Sequence, residues 1–229
     1  MKKNRTGMAL AMAGATLISA FATTAAHADD TASGPASAAS TVQSPVEGGI
    51  HARDVLVRLR GISIMPQVGT SSTLSTLNVN VNNAIVPELD FTYMIRDNIG
   101  VELILATSRH QVTSNLGALG GVNVLPPTLL LQYHFNHQGK IRPYVGAGLN
   151  YTYFYNDGLK AGGQSIAVSR SSFGPALQAG VDVQITKTLF VNADIKKIWM
   201  RTDATLGGAS IGTLRIDPLV VGLGVGMKF

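Results

Sequence analysis

The chain has 229 residues, of which 45% are hydrophobic and only 14% are charged, and it contains no cysteine. The lack of cysteine excludes a disulfide-stapled miniprotein and a thiolate metal site. A disordered chain combines low hydropathy with high charge, and an average soluble domain carries about 25% charged residues, so this chain is too apolar for either class.

The first segment has the pattern of an export signal. A basic start at Lys2, Lys3 and Arg5 precedes an apolar run and the small-residue pattern Ala26-His27-Ala28. We therefore predict a signal peptide over 1–28. Its removal takes three basic residues from a net charge of +5 and leaves +2, which is too little to indicate a nucleic-acid partner.

The next segment, residues 29–52, is built from small residues with two prolines and no aromatic residue. Such a segment buries too little surface to offset the entropy lost on ordering. We predict a flexible periplasmic leader over 29–52 and a single folded domain over 53–229.

From Asp54 onward, apolar and polar residues alternate with the period of two that is typical of strands. Lys197, beside Lys196, interrupts the alternation of the seventh segment, which a side chain reaching towards the membrane surface or a β-bulge would explain. The pattern predicts eight strands, over 54–66, 85–96, 99–108, 126–135, 143–155, 171–185, 189–202 and 214–229.

The connections between these segments alternate in length. Three short and four long connections are expected when eight antiparallel strands keep both chain ends on the side of the short turns, as in outer-membrane barrels. A soluble β-sandwich is the alternative. The short connections are 97–98, 136–142 and 186–188, and the long ones, rich in Gly, Ser, Thr and Asn, are 67–84, 109–125, 156–170 and 203–213.

The aromatic residues and the last strand favour the barrel. All aromatic residues after position 28 fall in predicted strands, mostly towards strand ends, where two interfacial girdles are expected. We assign Tyr144 and Phe190 to the girdle on the turn side. The last strand alternates up to Phe229, and a terminal Phe on such a strand resembles the signal read by the bacterial barrel-assembly machinery.

Several blocks of the sequence resemble the OmpW/AlkL family of small outer-membrane proteins. The resemblance runs from about 54 to 229 and implies an eight-stranded barrel in the outer membrane of a Gram-negative bacterium. It also implies a narrow lumen linked to the uptake of small hydrophobic molecules. The blocks are VRLR at 57–60, YMIRDNIGVE at 93–102, LPPTLLLQYHF at 125–135, RPYVGAGLNYT at 142–152, and IDP at 216–218 with Phe229.

Charged residues on the inward faces of the predicted strands lie at similar heights, about 13–20 Å from the turn side at about 3.3 Å per residue. Opposite charges in a narrow lumen are expected to pair and to form a polar floor at the periplasmic end. The predicted floor residues are Arg58, Arg60, Asp90, Glu102, Asp182 and Asp194.

Above this floor the inward residues become apolar. We predict that they line a pocket for a small hydrophobic solute, because an eight-stranded barrel is too narrow for a free aqueous pore. The predicted lining residues are Ile62, Ile64, Ile104, Leu130 and Phe154.

Prolines mark where the solute could leave sideways into the membrane, since proline has no amide N–H to give to a ladder. We predict a lateral opening at Pro126 and Pro127 or at Pro175, and prolines placed merely at strand ends are the alternative. The expected partners are outer-membrane lipid and lipopolysaccharide, the barrel-assembly machinery and the solute. The oligomeric state stays open.

Other residue combinations give weaker signals. His134 and His137 lack further ligands in sequence, so no metal or other cofactor is expected. Ser108 with His110, or His134 with Ser172, is a possible fragment of a hydrolase that modifies lipid A, but we expect no enzyme. A structural or adhesive barrel with a closed lumen is the remaining alternative.

Overall fold

A computed structural model describes residues 48–229. The predicted signal peptide and most of the predicted leader lie outside this range. The described part is almost entirely β-structure, with one short helix, α1. None of its helices has the length and apolar character needed to cross a membrane.

The described residues form sixteen strands and one helix. They are β1 Val55–Met65, β2 Gly69–Thr70, α1 Thr73–Thr76, β3 Asn80–Val81, β4 Ala84–Arg96, β5 Ile99–Ala106, β6 Ser108–Ser114, β7 Gly117–Leu125, β8 Thr128–His134, β9 Ile141–Tyr155, β10 Lys160–Ala161, β11 Gln164–Val168, β12 Ser171–Gln184, β13 Leu189–Ile198, β14 Arg201–Leu206, β15 Ala209–Arg215 and β16 Leu219–Lys228.

Eight long strands close on themselves as an antiparallel barrel, in the order β1-β4-β5-β8-β9-β12-β13-β16. β16 returns to β1, with partners from Leu56 and Lys228 to Met65 and Leu219. Phe229 completes this seam, because its N–H and carbonyl both bond to Val55. The predicted eight-stranded barrel is therefore confirmed, and each of the eight strands has a paired neighbour on both sides.

The two faces of the barrel wall have the polarity expected in a membrane. On β16, Val221, Leu223 and Val225 are exposed, while Gly222 and Gly226 face inward and are buried. The same alternation recurs on the other barrel strands, so the apolar surface points outward and polar side chains fill much of the interior. A soluble sandwich has the opposite arrangement.

The four long connections contain strands of their own, which the sequence pattern did not predict. β6 and β7 extend one side of the wall, and a five-stranded sheet of β10, β11, β14, β15 and β2 extends another. Two of the hairpins turn at Gly162–Gly163 and Gly207–Gly208, with φ of 56° and 81° and of 57° and 87°. Positive φ at both central residues is the requirement of a tight hairpin turn, and glycine meets it without strain.

Most aromatic side chains point outward near the strand ends, as predicted. Tyr133 and Phe135 are exposed at the turn end, and Tyr151 and Trp199 are exposed at the loop end. The assignment of Tyr144 and Phe190 to the outer girdle was wrong. Both are buried inside the barrel, since they occupy inward positions of the alternation, where they pack beside charged side chains.

Candidate functional site

Two arginines on β1 form the centre of a charged layer that crosses the lumen. Arg58 is fully buried, and its Nη2 lies 2.8 Å from Asp182 Oδ2 on β12. Its Nη1 lies 3.3 Å from Glu102 Oε1 on β5. Its guanidinium carbon also lies 5.3 Å from the ring centroid of Tyr144, a cation–π distance. Arg58 thus connects strands on opposite sides of the barrel.

Arg60, two residues further along β1, joins three more carboxylates. Its Nη2 lies 2.6 Å from Asp90 Oδ2, its Nε 3.0 Å from Glu88 Oε1, and its Nη1 3.0 Å from Asp194 Oδ2. The arginines and carboxylates predicted to form a floor are therefore brought together and paired.

Two members of this layer were absent from the predicted set. Glu88 is the cross-strand partner of Arg60, and Lys196 lies on β13 with its Nζ 2.6 Å from Glu88 Oε1 and 2.8 Å from Asp194 Oδ2. The inward parity of Glu88, two residues before Asp90, was a signal that could have identified it. We call the complete set the charged floor: Arg58, Arg60, Glu88, Asp90, Glu102, Asp182, Asp194 and Lys196.

Side-chain amides add hydrogen bonds to three carboxylates of the charged floor. Gln132 Nε2 donates to Glu102 Oε2 at 2.8 Å, Gln178 Nε2 donates to Asp194 Oδ2 at 2.9 Å, and Asn192 Nδ2 donates to Asp182 Oδ1 at 2.7 Å. Every side chain of the floor is at most 5% exposed. The layer is thus a sealed network rather than the wall of a water-filled pore.

A strap of residues, 48–53, covers the turn end below the charged floor. Arg142 Nη1 donates to the Gly48 carbonyl at 3.0 Å, and Lys228 Nζ donates to the Gly49 carbonyl at 2.7 Å. Ile50 is 1% exposed and packs in an apolar cluster with Leu56, Met94 and Phe190. The described end of the predicted flexible leader, 48–52, is thus held against the barrel by specific contacts.

An apolar cavity of about 70 Å³ lies above the charged floor. Four of the five predicted lining residues, Ile62, Ile64, Ile104 and Phe154, border it, and Glu88 and Lys196 of the floor are also in contact with it. Leu130 is buried in the same apolar cluster but does not line the cavity. The elements of the long connections add Leu159 to the lining, and they bring Leu74 and Leu119 into the cluster.

The wall beside this cavity has a stretch without strand pairing. β5 pairs with β8 up to Ile104 and Thr128, and β6 pairs with β7 from Ser108 and Val124 onward. Within the described range, no ladder pairs join 105–107 to 125–127. We call this stretch the wall gap. Ala106 and Pro126 at the gap line the cavity, while Leu105 and Leu125 are exposed on the outer surface.

The three predicted gap prolines have different surroundings. The carbonyls of Pro126 and Pro127 accept hydrogen bonds from Asn150 Nδ2, at 3.1 and 3.3 Å, and Pro127 also accepts one from the Tyr151 amide. Pro175 lies inside β12, opposite Leu149, and its carbonyl accepts from the Trp199 amide. Pairing thus continues on both sides of Pro175, whereas the Pro126–Pro127 pair interrupts it.

The histidine and serine pairs considered from the sequence differ in geometry. Ser108 Oγ lies 3.0 Å from His110 Nε2, and both side chains line the cavity. His134 contacts Gln132 instead, and Ser172 Oγ accepts from the Arg201 amide. Residues 48–229 contain no group of three or more His, Cys, Asp or Glu arranged to hold a metal ion.

Comparison with known proteins gives a consistent result. Residues 51–229 match the family described as the OmpW family. The chain is 38% identical to outer membrane protein W of Escherichia coli K12, over 78% of this chain and 90% of that protein. It is 31% identical to the dibenzothiophene metabolism operon protein PahQ of Pseudomonas aeruginosa, over 65% of this chain and 72% of that one.

The fold is also similar to that of a solved structure. The outer membrane protein OprG of Pseudomonas aeruginosa superposes with a TM-score of 0.71 at 28% sequence identity. The match covers 80% of this chain and 98% of OprG.

Proposed function

The chain belongs to the OmpW family of Gram-negative outer-membrane barrels, and we propose that it carries small apolar molecules from outside the cell into the outer membrane. In this proposal the solute enters the apolar cavity from the loop end and leaves sideways through the wall gap. The observation that carries the proposal is the position of the cavity, above a sealed floor and beside an unpaired stretch of wall.

The charged floor supports a sideways route over a vertical one. Passage towards the periplasm would require separating buried ion pairs, and breaking one such pair leaves an uncompensated charge at a cost of about 3–5 kcal/mol. The strap at 48–53 adds a second layer below the floor. An apolar solute offers no compensation for either, so lateral exit is the easier path.

The size of the cavity defines what entry requires. About 70 Å³ is less than half of the roughly 150 Å³ of an engineered apolar cavity that binds benzene. A solute of that size therefore needs apolar side chains of the loop end to move aside. Leu159, which lines the cavity on a long connection rather than on a barrel strand, is the side chain we expect to move first.

The proposed exit is at Pro126 and Pro127 rather than at Pro175. Two consecutive prolines remove two amide donors from the edge of the gap. No ladder pair joins 105–107 to 125–127 within the described range, so separating these two segments breaks no ladder bond. On the outer surface, Leu105 and Leu125 offer an apolar path to the lipid.

The relatives support an apolar solute. PahQ is described by its association with dibenzothiophene metabolism, and dibenzothiophene is an apolar aromatic molecule. This likeness supports the chemical class of the cargo and leaves its identity open.

Uptake of radiolabelled naphthalene by cells with and without the protein tests the proposal. Ile64→Trp fills the cavity, and we expect uptake to fall to the level of cells that lack the protein. Ile85→Trp is the matched control, because Ile85 is 82% exposed on the outer face and its neighbour Ala84 is the cross-strand partner of Ile64. Uptake unchanged by Ile64→Trp, in a barrel shown to be folded, would refute the proposal.

The exit is tested separately by Ala106→Trp, which places a large ring in the cavity wall at the gap. Ala147→Trp is its control on the exposed face of β9. We expect only Ala106→Trp to slow uptake. If both variants take up naphthalene at the normal rate, the solute leaves by another route.

The proposal treats the protein as a channel without catalytic activity. The alternative of a structural or adhesive barrel predicts that Ile64→Trp has no effect on any solute. The alternative of a lipid A-modifying enzyme predicts a mass change in lipid A between cells with and without the protein, which mass spectrometry detects directly.

A further inference from the structure

A polar pair faces the apolar cavity at its loop end. Ser108 and His110 lie two residues apart on β6, so both side chains point to the same side of the strand. They are 6% and 5% exposed, and both line the cavity. Their cross-strand partners on β7 are Val124 and Val122, which also line it.

The hydrogen bonds of this pair have a defined direction. His110 Nδ1 lies 2.9 Å from the carbonyl oxygen of Asn82, which can only accept, so Nδ1 carries a proton. An imidazole ring that carries its proton on Nδ1 has its acceptor at the other nitrogen, Nε2. Nε2 is then an acceptor, and the Ser108 hydroxyl donates to it at 3.0 Å.

This arrangement leaves the oxygen of Ser108 able to accept a hydrogen bond at the cavity. The only proton of the Ser108 hydroxyl goes to His110, and no other hydrogen bond to Ser108 Oγ is present within residues 48–229. The lone pairs of Ser108 Oγ are therefore available to accept. A hydroxyl oxygen with free lone pairs can accept a hydrogen bond from a solute in the cavity, which a hydrocarbon cannot supply.

The other polar groups at the cavity are bonded to neighbours within the protein. Thr128 Oγ1 donates to the Pro126 carbonyl and accepts from Asn150. Thr202 Oγ1 donates to the Ser169 carbonyl. Glu88 and Lys196 bind each other in the charged floor. Thr202 Oγ1 also keeps a free lone pair, but it lies on β14, whereas Ser108 is the first residue of β6, which begins at the wall gap.

We propose that Ser108 selects solutes that combine an apolar body with one hydrogen-bond donor, as aliphatic alcohols and phenols do. The solute hydroxyl donates to Ser108 Oγ, Ser108 donates to His110 Nε2, and His110 donates to the Asn82 carbonyl. The apolar body occupies the cavity between Ile62 and Phe154. This inference rests on the proposed function, since it names the solute class of the same cavity.

The test compares 1-octanol with n-nonane, which have the same number of heavy atoms and differ in one hydroxyl. Radiolabelled uptake is measured in cells with and without the full-length protein, and the protein-dependent rates are expressed as an octanol-to-nonane ratio. One added hydrogen bond to a neutral acceptor is expected to change this ratio by about fivefold. Ser108→Ala should lower the ratio by that factor.

Three variants act as controls. Ser172→Ala makes the same chemical change at a buried serine that bonds to the Arg201 amide outside the cavity lining, and it should keep the wild-type ratio. Ser108→Thr keeps the hydroxyl and should also keep the preference. Thr202→Val removes the other hydroxyl with a free lone pair and should leave the ratio unchanged.

The outcomes are distinguishable. If neither solute shows protein-dependent uptake, the proposed function fails and this inference fails with it. If nonane enters but Ser108→Ala leaves the octanol-to-nonane ratio at its wild-type value, the inference fails while the proposed function stands. If Thr202→Val lowers the ratio and Ser108→Ala does not, Thr202 rather than Ser108 selects the solute, and the inference is overturned.

Discussion

Two adjacent lysines on β13 provide a matched test of the charged floor. Lys196 is 2% exposed, with its Nζ 2.6 Å from Glu88 Oε1 and 2.8 Å from Asp194 Oδ2. Lys197 points to the outer face, where its Nζ donates to Gln67 Oε1 at 2.6 Å and to the Asp217 carbonyl. Lys196→Met and Lys197→Met make the same chemical change one residue apart, on opposite faces of the wall.

The structure predicts a graded loss of stability. Removing one partner of a buried ion pair costs about 3–5 kcal/mol. After Lys196→Met, Glu88 and Asp194 each keep Arg60 at 3.0 Å, so we expect the lower end, about 3 kcal/mol or roughly 100-fold in the unfolding equilibrium. Arg60→Met removes the cation that pairs with Asp90. Within residues 48–229 Asp90 forms no other ion pair, so we expect a loss of stability of about 5 kcal/mol.

Lys197→Met breaks only hydrogen bonds to uncharged oxygens at a half-exposed position and leaves no buried charge without its partner, so we expect a smaller loss than for Lys196→Met. Urea unfolding of the purified barrels in lipid vesicles measures all three variants. The single tryptophan, Trp199, gives a fluorescence signal, and the mobility of unheated protein on gels gives an independent one. Equal losses for Lys196→Met and Lys197→Met, or a larger loss for Lys197→Met, would refute the pairing of Lys196 in the floor.

Three further variants test other parts of the account. Gly226→Val should lower the yield of folded barrel in a refolding assay, because a Cβ there overlaps the Phe190 ring and lies 3.0 Å from Arg58 Cγ. Gly61→Val, on the open outer face, is the control and should fold normally in the same assay. Ile50→Ala should destabilise the strap by about 2–4 kcal/mol and speed its proteolytic cleavage. Unchanged cleavage of the strap would show that this side chain does not hold it in place. Phe229→Ala should reduce assembly in cells but not the urea stability of refolded protein, because its ring is 68% exposed, and a matching loss of both would remove the case for a recognition signal.

Much of the barrel could be predicted because the alternation of apolar and polar residues along each strand can be read directly from the sequence. Each strand must present one face to lipid and one to the lumen, so polarity along the strand reports the side on which a residue lies. That rule correctly assigned Arg58, Arg60 and Asp194 to the interior. It also explains Lys197. The register of β13 with β16 is regular, so no β-bulge is present there, and Lys197 points outward with its Nζ bonded to polar groups.

The rest depended on contacts between distant segments. Tyr144 was expected outside because of its height along the strand, but its hydroxyl accepts a hydrogen bond from Asn192 Nδ2 at 3.0 Å inside the barrel. The strap has a loop-like composition and is fixed by Arg142 and Lys228, which are remote in sequence. The strands of the long connections were missed because these connections are rich in Gly, Ser, Thr and Asn, residues more typical of loops, although Gly162–Gly163 was a readable hairpin signal.

The path of the solute can be mapped with a photoreactive alkane bound to the intact protein in membranes. After illumination, mass spectrometry identifies the labelled residues, with and without an excess of unlabelled alkane. We predict competed labels at Ile104 and Phe154 in the cavity and at Leu125 beside the wall gap, all lost in Ile64→Trp. Labels confined to outward lipid-facing residues such as Leu129 and Leu149, and unaffected by competition, would contradict the account.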